Sequence, residues 1–274
     1  MTTAAGQHAP IVPAKPSARF ARVFTWYARE KIVRKKFHRL QVAAGTRDAL
    51  ARLDRADRPA VVLLSHSSWW DPLVALLLAA ELAPSRSIAA PMDRRELERF
   101  GFFRKVGVFG VDPDDPSALE PMVAYVMQRF EREKRGTLWI TPQGRFADVR
   151  APITCRPGAA AVAARAVETF GGVEVVSAAI EYGFWEDQKP EIFLRFAPVS
   201  TEGVGTASWH RAITRGMQAN AAALAELVIG RDAAAFEPLL AAKPPRVHPL
   251  YDWYLRLTGK QRALGAARQK GVAL

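Results

Sequence analysis

From residue 60 onward the chain alternates short apolar runs with longer segments whose apolar positions recur at helical spacing. Residues 60–65, 86–90, 106–111, 137–141, 173–182 and 191–197 read as strands, and residues 72–83, 94–103, 117–134, 158–169 and 206–229 as helices. Gly or Pro punctuates most of the joins. This alternation predicts an α/β fold with a mainly parallel central sheet flanked by helices. The run at 61–64 is continuously apolar, as expected of a strand covered on both faces. After Gly230 the pattern weakens, Lys243-Pro244-Pro245 reads as a stiff connector, and residues 248–257 form an aromatic, weakly amphipathic stretch.

Upstream of the alternation the pattern is different. Phe20, Val23, Phe24 and Tyr27 form one helical stripe, and Val33, Phe37 and Leu40 form a second, rotated away from the first. A break near residues 28–32 would account for the rotation. Residues 17–40 hold eight Lys or Arg against the single acid Glu30. Basic residues interleaved with aromatic stripes suit an interfacial helix on an anionic membrane surface, and equally a helix packed on the core with a solvated basic face. The expected organisation is a disordered tail over 1–18, a basic amphipathic membrane-association segment over 19–42, a catalytic domain over 43–230 and a C-terminal extension over 231–274.

Composition narrows the classes. A net charge of +12 and a pI near 10.2 suit an anionic partner. No recognition-helix, zinc-finger or ribonucleoprotein-type motif accompanies the charge, which argues against nucleic acid. Cys155 is the single cysteine, so an intramolecular disulfide is impossible and a reducing compartment is expected. The first twenty residues lack the apolar core of a signal peptide. The longest nearly apolar segment, 72–84, falls short of the ~20 residues that span a bilayer. The expectation is a cytoplasmic protein, peripheral to the inner face of the membrane, with no transmembrane helix.

The candidate chemistry sits in residues 61–73, VVLLSHSSWWDPL. His66 follows the buried strand, and Asp71 precedes Pro72, which suits the first position of a helix. A strand–turn–helix joint can bring the two side chains together. A histidine held by a carboxylate is a general base of fixed tautomer. The plain alternative is a loop histidine and an aspartate that only caps the helix. Trp69 and Trp70 are candidates for the path of an apolar ligand chain or a lipid interface, or for core aromatics. Cys155 lacks a local nucleophile signature, and His248 with Asp252 reads as an accidental pair. His8, His38 and His210 lack a motif, and no cluster has metal-ligand spacing, so no metal is expected.

Two further segments join the first. LWITPQGRF at 138–146 is a strand followed by a Pro-x-Gly-Arg turn, and VGVFGVD at 106–112 is a Gly-marked strand ending in an aspartate. In order and approximate spacing these three blocks resemble those of the glycerolipid acyltransferases. His66 and Asp71 match the family's His-x4-Asp element. Thr141-Pro142-Gln143-Gly144-Arg145 resembles its Pro-Glu-Gly-Thr-Arg block, Arg156-Pro157-Gly158 its later glycine, and residues 173–182 its last block. The resemblance implies acyl transfer from a thioester, acyl-CoA or acyl carrier protein, to a hydroxyl of a lysophospholipid or other lipid acceptor, without a cofactor. His66 would be the base and Asp71 its orienting carboxylate. Gln143, Gly144, Arg145, Arg156 and Gly158 would bind substrate.

The departures bear on the acceptor. Ser65 stands where the family has Asn, and Ser177 where the last block has Pro. Pro113 stands where an arginine would meet the acceptor's phosphate, and Gln143 where a glutamate is usual. These changes favour a non-phosphate acceptor such as a glycolipid, a carotenoid glycoside or an amino-acid lipid. A non-catalytic lipid-binding protein on the same fold is the other class to separate.

Overall fold

The computed structural model describes residues 11–185 and 187–240. Among these residues eight strands form one sheet: β1 (Leu40–Ala43), β2 (Ala60–Leu64), β3 (Ser87–Asp93), β4 (Val108–Val111), β5 (Gly136–Ile140), β6 (Glu174–Gly183), β7 (Glu191–Pro198) and β8 (Phe236–Leu240). Their order is β4-β3-β5-β2-β6-β7-β1-β8. Among the described residues five of the seven pairings are parallel; β6 with β7 and β1 with β8 run antiparallel. Helices α4 (Asp71–Leu82), α6 (Leu119–Arg132), α7 (Gly158–Phe170) and α8 (Gly205–Gly230) belong to the layers that flank the sheet, and the short α5 (Arg94–Arg99) follows β3. The α/β reading with a mainly parallel sheet therefore holds. Among the described residues no helix is long and apolar enough to cross a membrane.

The apolar pattern explains the layering. The strand β2 is buried along its whole length because helices cover both its faces. Val61 and Leu63 face one cluster with α6 and α7, while Val62 and Leu64 face another with α4, as the period of two requires. Helix α4 is apolar on nearly every side, and Leu73 through Ala79 are all buried.

The amino-terminal segment departs from expectation. Residues 11–17, read as part of a disordered tail, lie along the edge strand β4, where Val12 and Gly110 exchange backbone hydrogen bonds. Residues 19–42 are not one helix, and the break lies where the rotation of the two stripes puts it, near 28–32. Helix α1 (Ala18–Tyr27) runs into a π-helical turn over Ala28–Val33, the short α2 (Arg34–Lys36), and then β1. A π turn is wider than an α turn, so it rotates the following chain and separates the two stripes. The second stripe is core: Val33, Phe37 and Leu40 are buried against the sheet. The first is divided. Phe20 and Phe24 pack toward Phe103, whereas Val23, Trp26 and Tyr27 are exposed. Three elements are additional to the expected ones, β1, α3 (Arg47–Arg55) and β8, and with β8 the sheet extends past residue 230. The connector at 243–245, the stretch 248–257, and His8, His248 and Asp252 lie outside the described residues.

Candidate active site

Strands β2 to β6, all but β6 with parallel neighbours only, end at the same edge of the sheet, where the loops of such a fold gather. The chain leaves β2 through Ser65. Its N–H donates to Ala178 O at 3.1 Å, and its hydroxyl accepts from the Ile180 N–H at 2.8 Å. The turn 66–70 thus hangs from β6. Helix α4 begins at Asp71 with Pro72 behind it, and Trp70 holds the cap position without a side-chain cap bond.

Asp71 does not cap the helix, as its position before Pro72 had suggested. Its fully buried carboxylate turns back onto the preceding loop. Oδ2 accepts from the Ser67 N–H, the Ser68 N–H and His66 Nδ1, each at 2.9 Å. Oδ1 accepts from the Tyr182 hydroxyl at 2.5 Å. Four donors converge on a group that, as a carboxylate, only accepts. The network puts the imidazole proton on Nδ1 and leaves Nε2 with the lone pair. Burial, followed by the charge of Asp71, pushes the Tyr182 phenol far above its usual range, so it stays a donor.

The turn after β5 clasps His66 from the other side. Gln143 is buried, and its Oε1 accepts from the His66 N–H at 2.8 Å, while the Ala147 N–H donates to the His66 carbonyl at 2.9 Å. Residues more than seventy positions apart thereby become one unit. The Phe146 ring lies 4.3 Å from the imidazole. Gly144 has φ +64, in the left-handed region, and a Cβ there would sit 2.6 Å from Arg156 Nε. Arg156 itself is engaged: it donates to the Pro113 carbonyl and, at 3.0 Å, to Asp114 Oδ1. Arg145 is exposed and, among the described residues, makes no side-chain hydrogen bond or ion pair.

His66 lines a cavity of about 810 Å³. The interior is apolar, walled by Leu73, Leu76, Ile88, Phe103, Val106 and Val108, and its mouth carries Asp112, Pro113, Gly144, Arg145, Phe146 and Arg156. Gly158, at the start of α7, lines it too, packed under Met122. Trp69 borders the same cavity and is 58% exposed. Trp70 faces elsewhere: it packs edge-on to Phe37 at 5.1 Å and joins a core cluster. The turn 66–70 is a partition, because Ser67, Ser68, Trp70 and Tyr182 line a second, 500 Å³ cavity.

The rival residues are placed as well. Cys155 is half-buried, 3.8 Å from Met217 Sδ, and burial raises its thiol above the usual range. His210 Nε2 bonds the Cys155 carbonyl at 2.9 Å. His38 pairs with Asp187 at 3.2 Å, but neither lines the apolar cavity. Tyr182 was not among the sequence candidates. Its signal is its place in the alternation Val176, Ala178, Ile180, Tyr182, which puts it on the α4 side of β6.

No curated protein matches the chain. A family model described as acyltransferase matches residues 40–181, slightly over half of the 274 residues and the whole stretch from β1 through the turns around His66 and Gly144 to Glu181 of β6. The chain belongs to the glycerolipid acyltransferase family.

Proposed function

We propose that the protein is a peripheral membrane O-acyltransferase that moves a fatty acyl group from a thioester, acyl-CoA or acyl carrier protein, to a hydroxyl of a lipid acceptor. The observation that carries this reading is the placement of the Asp71-oriented His66 on the wall of a deep apolar cavity. The cavity lies within the usual size of a ligand pocket, about 300–1,000 Å³. In this reading the acyl chain lies along Leu73, Leu76 and Phe103, with the thioester carbonyl near His66. His66 Nε2 takes the proton of the acceptor hydroxyl as its oxygen attacks the carbonyl carbon. Asp71 stabilises the imidazolium. The tetrahedral intermediate collapses, the C–S bond breaks, and the leaving thiolate takes the proton back from Nε2. Gly158 and Ala159 at the start of α7 line the same cavity, and the first N–H groups of a helix, which have no acceptor within it, would favour the developing oxyanion there.

The state of the two arginines supports an acceptor recognised without a strong phosphate clamp. Arg156 is engaged by Asp114 and the Pro113 carbonyl, and of the two motif arginines Arg145 is the one without a side-chain partner among the described residues. Uncharged glycolipid or amino-acid-lipid hydroxyls are therefore expected to compete with lysophosphatidic acid as acceptors. A mass-spectrometric transfer assay over a panel of lyso-lipids and glycolipids, with each donor, tests this. Arg145→Ala is expected to leave catalytic efficiency for phosphate-bearing and uncharged acceptors alike within about threefold of the parent, whereas losing a phosphate clamp would cost about one to two powers of ten on the phosphate-bearing ones alone. A strong preference for lysophosphatidic acid, lost selectively in Arg145→Ala, would return the acceptor to a lysophospholipid. Lipid binding without any transfer would leave the non-catalytic reading.

Exposed apolar residues on α1 support a membrane face there. Val23, Trp26 and Tyr27 project from α1, Lys31 lies 5.7 Å over the Trp26 ring, and contacts run from Phe24 through Phe102 and Phe100 to Trp69 at the cavity. Inserting Trp26 and Val23 into an interface gains about 1.5–3 kcal/mol per fully buried side chain, and each nearby basic residue adds on the order of 1 kcal/mol. The double substitution Val23→Glu with Trp26→Glu is expected to lower sedimentation with anionic liposomes at least tenfold. It leaves the buried Val33 and Phe37 untouched, which deletion of the segment would not. Unchanged sedimentation would move the contact to another surface.

A further inference from the structure

We infer that Tyr182 is a positioning residue of the transfer reaction, holding the plane of the Asp71 carboxylate so that Oδ2 stays aligned with His66 Nδ1. This rests on the reading of His66 as the base. The geometry separates the two oxygens of Asp71. Oδ2 gathers three donors, two of them backbone N–H groups of the turn and the third His66. Three bonds hold Oδ2 in place, and what stays soft is the tilt of the carboxylate about its Cβ–Cγ bond, which the partner of Oδ1 limits. The single bond to Oδ1 comes from Tyr182, at 2.5 Å. That bond fixes the plane, and with it the lone pair that Oδ2 presents to the imidazole.

The hydroxyl reaches Asp71 from another part of the fold. Tyr182 and Asp71 are 111 residues apart. The register pairs Leu64 with Ala178, so β6 continues past the end of β2 and carries Tyr182 over the start of α4. Packing alone does not require the oxygen. The ring lies 5.8 Å from Phe37, and a phenylalanine would keep that contact. The ring of Tyr182 also borders the second cavity.

The experiment is steady-state kinetics of the full-length protein with Tyr182→Phe, beside His66→Ala, using the best donor and acceptor of the panel. Proton NMR of the imidazole Nδ1–H runs in parallel. Tyr182→Phe is expected to lower kcat about tenfold with KM within twofold, because a small misalignment of the base is felt in the transition state rather than in binding. The Nδ1–H resonance is expected to broaden at a temperature well below unfolding. Tyr182→3-fluorotyrosine keeps the donor and the fold, and is expected to restore both the rate and the resonance. A kcat within twofold of the parent overturns the inference. So does a slower Tyr182→Phe whose Nδ1–H resonance is unchanged, since that is a structural loss without positioning. Full activity of Tyr182→Phe beside an inactive His66→Ala removes this inference alone, whereas an active His66→Ala removes the base reading itself.

Discussion

Replacing His66 by alanine is expected to lower turnover by about two to four powers of ten while leaving the fold intact. The reasoning separates what the side chain does from what the backbone does. The turn around His66 is held by its N–H on Gln143 and by its carbonyl on the Ala147 N–H, and both bonds survive truncation. The side chain contributes one hydrogen bond, to Asp71, and a ring face to Phe146. Asp71 keeps three donors after the change, so no buried carboxylate is stranded. Asp71→Asn is a poorer test. An amide is neutral and has one accepting oxygen: placed at Oδ2 it meets the three donors there with weaker bonds and turns its NH2 onto the Tyr182 hydroxyl, so the turn is loosened as well as the base. The measurement is kcat/KM with a thermal melt of each variant. A His66→Ala protein that retains more than a tenth of parental activity would sink the assignment of His66 as base. An Asp71→Asn protein is expected to lose activity and stability together.

The sequence is informative where local pattern and tertiary role coincide. The apolar run of β2, the turn and Pro72 are one contiguous signal, so the strand–turn–helix that carries His66 and Asp71 is legible directly. The parallel sheet follows from the alternation that fills it. Elements lacking such a signal were missed. β1 is four residues inside a basic segment, and Gln41 looks like a surface residue there, although it is buried with its amide on Glu191 at 2.8 Å. β8 contains Glu237 and Pro238, which suit only an edge strand, and its pairing with β1 is visible solely in three dimensions. Helix α3 has too few apolar positions, Leu50 and Leu53, to mark a face. Within the site the same division holds. The matched motifs name Gln143 and Arg156 but not what engages them. Gln143 is turned onto the His66 backbone, and Arg156 is bound by residues that follow β4. Asp71 reads as a cap because spacing cannot tell whether a carboxylate turns forward onto a helix or back onto a loop. Tyr182 reads as the end of a strand, since only the register of β6 against β2 sets its hydroxyl on Asp71.

Arg86→Met is expected to lower stability by about 3–5 kcal/mol without altering kcat in the fraction that remains folded. Arg86 precedes β3 at the edge of the sheet opposite the site, and it is buried. Its guanidinium donates to the carbonyls of Leu53 at 2.6 Å, Ala56 at 2.9 Å, Arg58 at 2.7 Å and Gly136 at 3.1 Å, and to the Thr137 hydroxyl at 2.7 Å. One side chain therefore ties the end of α3, the entry to β2 and the start of β5 together. Burial, with Arg135 nearby, lowers the group to about 10, which leaves it charged at neutral pH. Methionine keeps much of the volume but removes five hydrogen bonds, and each buried group left unsatisfied costs about 1–3 kcal/mol before relaxation. Lysine does not repair the site. Its three donors radiate from one nitrogen and cannot reach acceptors spread around a planar fork. Urea denaturation and thermal melts give the measurement, with a fall in Tm of about 10 °C expected for Arg86→Met and a smaller one for Arg86→Lys. A loss below 1 kcal/mol would mean that water satisfies the same carbonyls. The contrast with His66 is the physical point. His66 is held by more bonds than it supplies, so its removal is felt in the chemistry. Arg86 supplies the bonds that hold others, so its removal is felt in the register of β2 and β5, the two strands whose far ends carry the turns that meet at His66.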